Sequence, residues 1–199
     1  MTACQLETLS LKGSGNDLAT YEVSWAGNPA STDVTGPSTS YTGDHAAPSW
    51  STEILINNNP VTTAIDWSLE FNRAVTPIPA LTGTQEYLEY FSQSLDISGK
   101  FTFVEQAGSP YLSAFLGGSQ ATIDIRCYDI FSGNLLRWHA STVFYTTGSL
   151  ERGSEYVQVP ISFNPIPSTL DSVPGTSNGG GMGYSILEVA NNITTAYYA

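Results

Sequence analysis

The sequence predicts a mainly β fold: an antiparallel β-sandwich or barrel with one short flanking helix. Three observations lead there. Residues 64–72 alternate strictly, with Ile65, Trp67, Leu69 and Phe71 on one side and Asp66, Ser68, Glu70 and Asn72 on the other, which is the period of a strand with one buried face. Similar runs recur along the 199 residues, punctuated by Gly, Pro and Asn, the residues that tight turns select. The chain is also rich in Thr, Ser, Gly, Tyr and Val, a composition suited to strands joined by short turns.

Taken in order, residues 4–12 and 18–26 read as a hairpin. Leu9 and Leu11, then Tyr21, Val23 and Trp25, alternate with polar neighbours, and Gly13-Ser14-Gly15-Asn16-Asp17 supplies the turn. Residues 52–58 and 61–72 are strands bracketing Asn57-Asn58-Asn59-Pro60, a strong turn signal. Residues 73–93 form a long excursion, because Pro77 and Pro79 exclude an ordinary central strand. Its second part, Glu86 to Phe91, reads either as a helical turn or as an extended arm. An ordered loop of this length is usually functional.

Residues 94–105 return as a strand, with Leu95, Ile97, Phe101 and Phe103 on one side. Gly99 on that same side predicts a bulge or unusually close packing. Ser109, Pro110 and the Gly117-Gly118 pair mark the cap, first turn and end of a short helix whose Leu112, Phe115 and Leu116 are expected to face the core. Strands follow at 121–128, 135–147 and 155–163. The tail passes through Asn178-Gly179-Gly180-Gly181-Met182-Gly183, a flexible hinge, to residues 184–193, which read as a short amphipathic helix or a frayed end.

This order divides the chain into a hairpin (1–30), a linker rich in Pro, Gly, Ser and Thr (31–49), a β domain (50–168) and a C-terminal arm (169–199). Residues 21–29 run in register with 157–165, both ending in Asn-Pro. Either the hairpin is the end of a preceding domain copy, or two β-hairpins simply look alike.

Charge and chemistry narrow the function. There are 6 Lys and Arg against 18 Asp and Glu, a net charge of −12, which argues against a binder of nucleic acid, since that needs a basic stripe. The charged fraction of 12% is about half the usual ~25%, as suits a surface largely covered by copies of itself. Cys4 and Cys127 read as two free thiols or as one long-range disulfide, the thiols favoured because no dense cysteine framework is present. The opening residues lack the basic and apolar runs of a signal peptide, and no apolar stretch is long enough for a membrane helix.

No catalytic, metal or cofactor site is expected. Of the two His, His45 lies in the linker and His139 in a strand beside Trp138. There is no nucleophile elbow, zinc spacing or phosphate-binding glycine loop. Asp66 with Glu70, or Asp124 with Asp129, would suit a glycosidase carboxylate pair in principle, but such pairs on an acidic β surface read first as solvated.

Residues 52–165 resemble the tail tube proteins of long-tailed bacteriophages. The resemblance is carried by Ala64 to Phe71, the loop Pro77 to Thr84, the strand Leu95 to Phe103 and the helix ending Phe115-Leu116-Gly117-Gly118. It implies a structural virion protein, assembled in the host cytoplasm, whose partner is itself. Six domains form a ring, as a hexamer or as a trimer of two-domain chains, and rings stack into a tube. The tape measure and tail-end proteins are further implied partners, and genomic DNA passes without specific binding. An acidic lining would repel its phosphates, so Asp66, Glu70, Asp96 and Asp124 are the candidates for lumen-facing positions. Pro77, Pro79, Tyr87, Tyr90 and Phe91 are the candidates for a loop between subunits. Competing assignments are another virion component (a capsid decoration protein or tail terminator), a carbohydrate- or receptor-binding module using its Trp and Tyr, and, last, an enzyme.

Overall fold

The computed structural model describes residues 4–27, 48–79, 87–105, 110–128, 135–152, 156–171 and 183–190. Most of the linker, the tip of the excursion at 80–86, Asp129, the turn at 132–134 and much of the arm lie outside them.

The strands are β1 (Cys4–Ser14), β2 (Thr20–Gly27), β3 (Thr52–Ile56), β4 (Asn59–Pro60), β5 (Ala64–Asn72), β6 (Val75–Pro79), β7 (Tyr87–Ser92), β8 (Asp96–Val104), β9 (Ala121–Tyr128), β10 (Leu135–Gly148), β11 (Glu151–Arg152), β12 (Val157–Pro165) and β13 (Ile186–Ala190). Among the described residues there is one α-helix, α1 (Pro110–Leu116), between β8 and β9. The main sheet runs β2-β1-β5-β8-β12-β10-β9-β3-β4, with β11 added to β12 and β13 to β10. Its pairings are antiparallel, as short connections between neighbouring strands permit.

β10 organises the fold. Its later residues pair with β12 and its earlier ones with β9, with register shifts between Ala140 and Val143 and between Tyr145 and Thr147. Such bulges bend a strand and increase its twist. The sheet folds over at β10, and one core draws on both halves: Leu69, Phe101, Val159, Ile161 and Phe163 from one, Ile54, Ile123, Ile125 and Trp138 from the other. Phe163 stacks on Phe101 at 4.8 Å between ring centres and lies 5.9 Å from Trp138. Fully burying a side chain of this kind contributes roughly 1.5–3 kcal/mol, so the alternation that hides these rings also fixes strand register.

Gly99 is required by that core. A Cβ there would stand 2.8 Å from Phe163 Cε1 and closer still to Cε2 and Cζ. Close packing, rather than a bulge, is therefore the reason for the glycine. Residues 57–60 form the expected turn, with Asn57 and Asn58 at φ of 52° and 62°, conformations that Asn tolerates better than most residues.

Several expectations are corrected. The turn at 57–60 does not join two long partners. β3 pairs only with the two-residue β4 there and otherwise with β9, while β5 crosses to lie between β1 and β8. Leu116 does not face the core but is exposed, whereas Phe115 is half-buried and fills the space over Gly148. Residues 186–190 are not helical. They form a strand on β10, with Trp138 Nε1 donating to Ser185 Oγ at 2.9 Å alongside. The excursion is an extended ribbon, β6 against β7, outside the main sheet. The hairpin β1–β2 pairs with β5 from Thr8 through Ser14 and so continues the same sheet. Cys127 is a free, buried thiol beside Thr52.

Candidate functional site

The half of the sheet containing β1, β5, β8 and β12 has an apolar face in the core and a polar face outside it. Strand register arranges the polar face in rows. One row runs Ser24, Thr8, Asn72, Asp96, and the next Glu22, Ser10, Glu70, Ser98. Then come Thr20, Lys12, Ser68, Lys100, Ser162, and finally Ser14, Asp66, Thr102, Pro160. Three of the four carboxylates singled out from the sequence, Asp66, Glu70 and Asp96, thus share one face. Period-2 alternation puts them there, because the core claims Trp67, Leu69, Phe71 and Ile97. Among the described residues, none of the three makes an ion pair.

Asp124 falls elsewhere. It lies on β9 in the other half, buried, where it accepts hydrogen bonds from Arg126 (Nε and Nη2, both 3.1 Å) and Arg137 (Nε 3.1 Å, Nη2 2.7 Å). Glu53 and Glu188 pair with the outer sides of the same arginines at 3.3 and 3.5 Å. Burial alone would raise the Asp124 carboxyl pKa, but the two guanidiniums outweigh it and hold the group below its ordinary value. His139 lies between this carboxylate (3.5 Å) and Asp171 (3.9 Å). Asp171 in turn accepts from the backbone N–H and hydroxyl of Ser141. This cluster ties β3, β9, β10, β13 and the turn at Thr169–Asp171 together. It is structural, and Asp124 contributes no charge to the polar face.

Sequence reasoning sets aside both lysines of the chain, Lys12 and Lys100, as too few for a basic stripe. Both are exposed and flank Ser68 in one row. The available signal was parity: Lys100 shares its side of the strand with Asp96 and Ser98, and Lys12 with Ser10.

The ribbon divides its candidates. Tyr90 is buried at 5% exposure, and its carbonyl accepts from Gln5 Nε2 at 3.1 Å. Tyr87 meets it edge to face at 5.7 Å. Phe91 and Leu88 are 61% and 68% exposed, Pro77 is half-buried and Pro79 is exposed. Tyr90 therefore anchors the ribbon to its own chain, and the ribbon presents Phe91 and Leu88 outward.

A family model described as phage tail tube protein matches residues 2–165. Among solved structures, the SPP1 tail tube, determined by solid-state NMR with cryo-EM, is similar at 11% identity. The match covers 79% of this chain and 72% of that one, with a TM-score of 0.34. No curated protein sequence matches the chain.

Proposed function

The chain belongs to the phage tail tube protein family, and from that premise we propose that the polar face of β1, β5, β8 and β12 lines the bore. The protein is a structural component of the virion tail, building a tube from copies of itself. The role demands geometry and charge, with no bond made or broken. The observation that carries the bore assignment is the contiguous polar face, whose rows hold Glu22, Asp66, Glu70 and Asp96. Fixed carboxylates repel the phosphates of a passing duplex over about a Debye length, ~8–10 Å in cell salt. Serine and threonine hydroxyls between them stay hydrated and leave little apolar surface for DNA to adhere to.

Pairing of β1 with β5 makes the hairpin part of the same sheet, which favours a ring of six single-domain chains over three tandem ones. Assembly takes place in the host cytoplasm, and the tape measure and tail-end proteins meet the tube at its bore and its end.

Chemical labelling of assembled tubes tests the assignment. A cysteine placed by Glu70→Cys is expected to react with a small maleimide and to be shielded from a polymer-linked one, relative to the parent protein. Equal reaction with both reagents places the face on the outside and overturns the reading.

We further assign the outward side of the ribbon, Leu88 and Phe91 with Pro77 and Pro79 behind them, to contacts between copies. Exposed apolar side chains on a projecting arm serve as anchors at an interface. Leu88→Ser with Phe91→Ser is expected to raise the protein concentration needed for tube formation by about tenfold, the equivalent of ~1.4 kcal/mol per contact, while the circular dichroism spectrum stays that of the parent. Unchanged assembly removes the ribbon from the interface.

A further inference from the structure

The bore reading leaves the two lysines unexplained. Only two lysines occur in the chain, and strand pairing sets both in a single row, Lys12–Ser68–Lys100, of a face whose neighbouring rows carry carboxylates. Two strand spacings separate them, ~10 Å. Both are exposed, and the described ion pairs all belong to the arginine cluster around Asp124 or its neighbours rather than to either lysine. They also border one open hollow of about 560 Å³, which two carboxylates, Asp17 and Asp66, line as well. Glu22 and Glu70 stand one row to one side, Asp66 one row to the other. Rows on one face are ~7 Å apart, close to the screening length in cell salt. Neighbouring carboxylates therefore temper the field of the lysine row, but among the described residues neither ammonium group is held in an ion pair, and both stay open to an incoming phosphate.

We propose that Lys12 and Lys100 form a cationic tier that contacts the phosphate backbone of duplex DNA, an attractive step between repulsive ones. The inference rests on the bore assignment. Each ring contributes one such tier, so the bore presents a periodic potential rather than a uniformly repulsive wall. Duplex DNA is the fitting partner because its phosphates recur every ~1.7 Å of axis. A tier at a fixed height always meets some of them, whatever the sequence. An acidic protein segment would have to place its carboxylates in register. Contacts of this kind are weak, reversible and sensitive to salt; they retard and centre the duplex without holding it.

The test is co-sedimentation of preassembled tubes with a short fluorescent duplex at low salt. Parent tubes are expected to retain the duplex, and retention should fall as salt rises. Tubes carrying Lys12→Gln with Lys100→Gln should retain about tenfold less, the loss expected for two phosphate contacts per subunit. Equal retention by parent and double variant, or none by the parent, overturns the lysine tier. The same duplex with a bulky protein cap at each end separates this from failure of the bore assignment. Loss of retention on capping puts the contacts inside the tube. Undiminished retention that still depends on the lysines places the tier on an outer surface, and then the bore assignment and the proposal resting on it fall together.

Discussion

Gly99→Ala is expected to destabilise the protein by about 3 kcal/mol, at the upper end of overpacking effects. For a chain of this size that lowers the melting temperature by roughly 6–12 °C. The added methyl group falls on the ring of Phe163. That ring has no room to retreat, because it is fully buried, stacked on Phe101 and close to Trp138. Backbone strain plays no part, since Gly99 is not among the glycines with positive φ. Urea denaturation checks the size of the effect. Combining Gly99→Ala with Phe163→Leu should recover part of the loss, giving a double-mutant coupling of about 1–2 kcal/mol. Additive single effects would show that the methyl group is accommodated some other way. Gly99 lies opposite the polar face, so the variant alters packing and leaves the charge rows as they are.

Asp124→Asn should cost about 2–3 kcal/mol near neutral pH, somewhat less than removal of one member of a fully buried ion pair, because the arginines are about a third exposed. Arg126 and Arg137 stand directly opposite each other across β9 and β10, an arrangement that is destabilising unless a counter-charge lies between them. Asp124 is that counter-charge. Its carboxyl pKa is lowered in the folded protein from an ordinary value of 3.8. The stabilisation is thus present above pH 3.8 and is lost as pH falls through the lower folded value. The gap between parent and variant in urea midpoint should be widest near pH 7, hold down to about pH 4 and close below it. A gap that stayed constant into strong acid would show that the carboxylate's charge is not what matters.

Much of the half of the sheet that bears the polar face was legible in the sequence, because each strand there hides one face. The alternation of 64–72, the Asn turn, the ribbon prolines and the start of the helix at Pro110 all declare local geometry. Partner choice was not legible. β3 reads as the hairpin mate of β5, yet Ile54 and Ile56 are buried against Ile123 and Ile125 in the other half, a preference that exists only once the sheet has folded over. β13 was misread because Ile186, Leu187 and Val189 mimic the spacing of a short amphipathic helix, while the free edge of β10 that turns them into a strand lies some fifty residues earlier. Asp124 reads as a polar-face residue and so joins Asp66, Glu70 and Asp96 as a lumen-facing candidate. The signal against this was Arg126, two residues on and hence on the same face. The lysines read as too few for a basic stripe, because only strand pairing brings Lys12 and Lys100 into one row.

The position of β10 has a consequence for motion. Because that strand bonds to both halves, through β9 on one side and β12 on the other, and both halves share one core, the sheet is expected to open as a single cooperative unit. The ribbon β6–β7 lies outside that unit. It is tied at its base by the Arg73 and Gln93 amides and by the Gln5 side chain. Its fluctuations therefore cost far less than those of the sheet it leaves. One chain thus combines a sheet that stays closed with a ribbon that moves at lower cost.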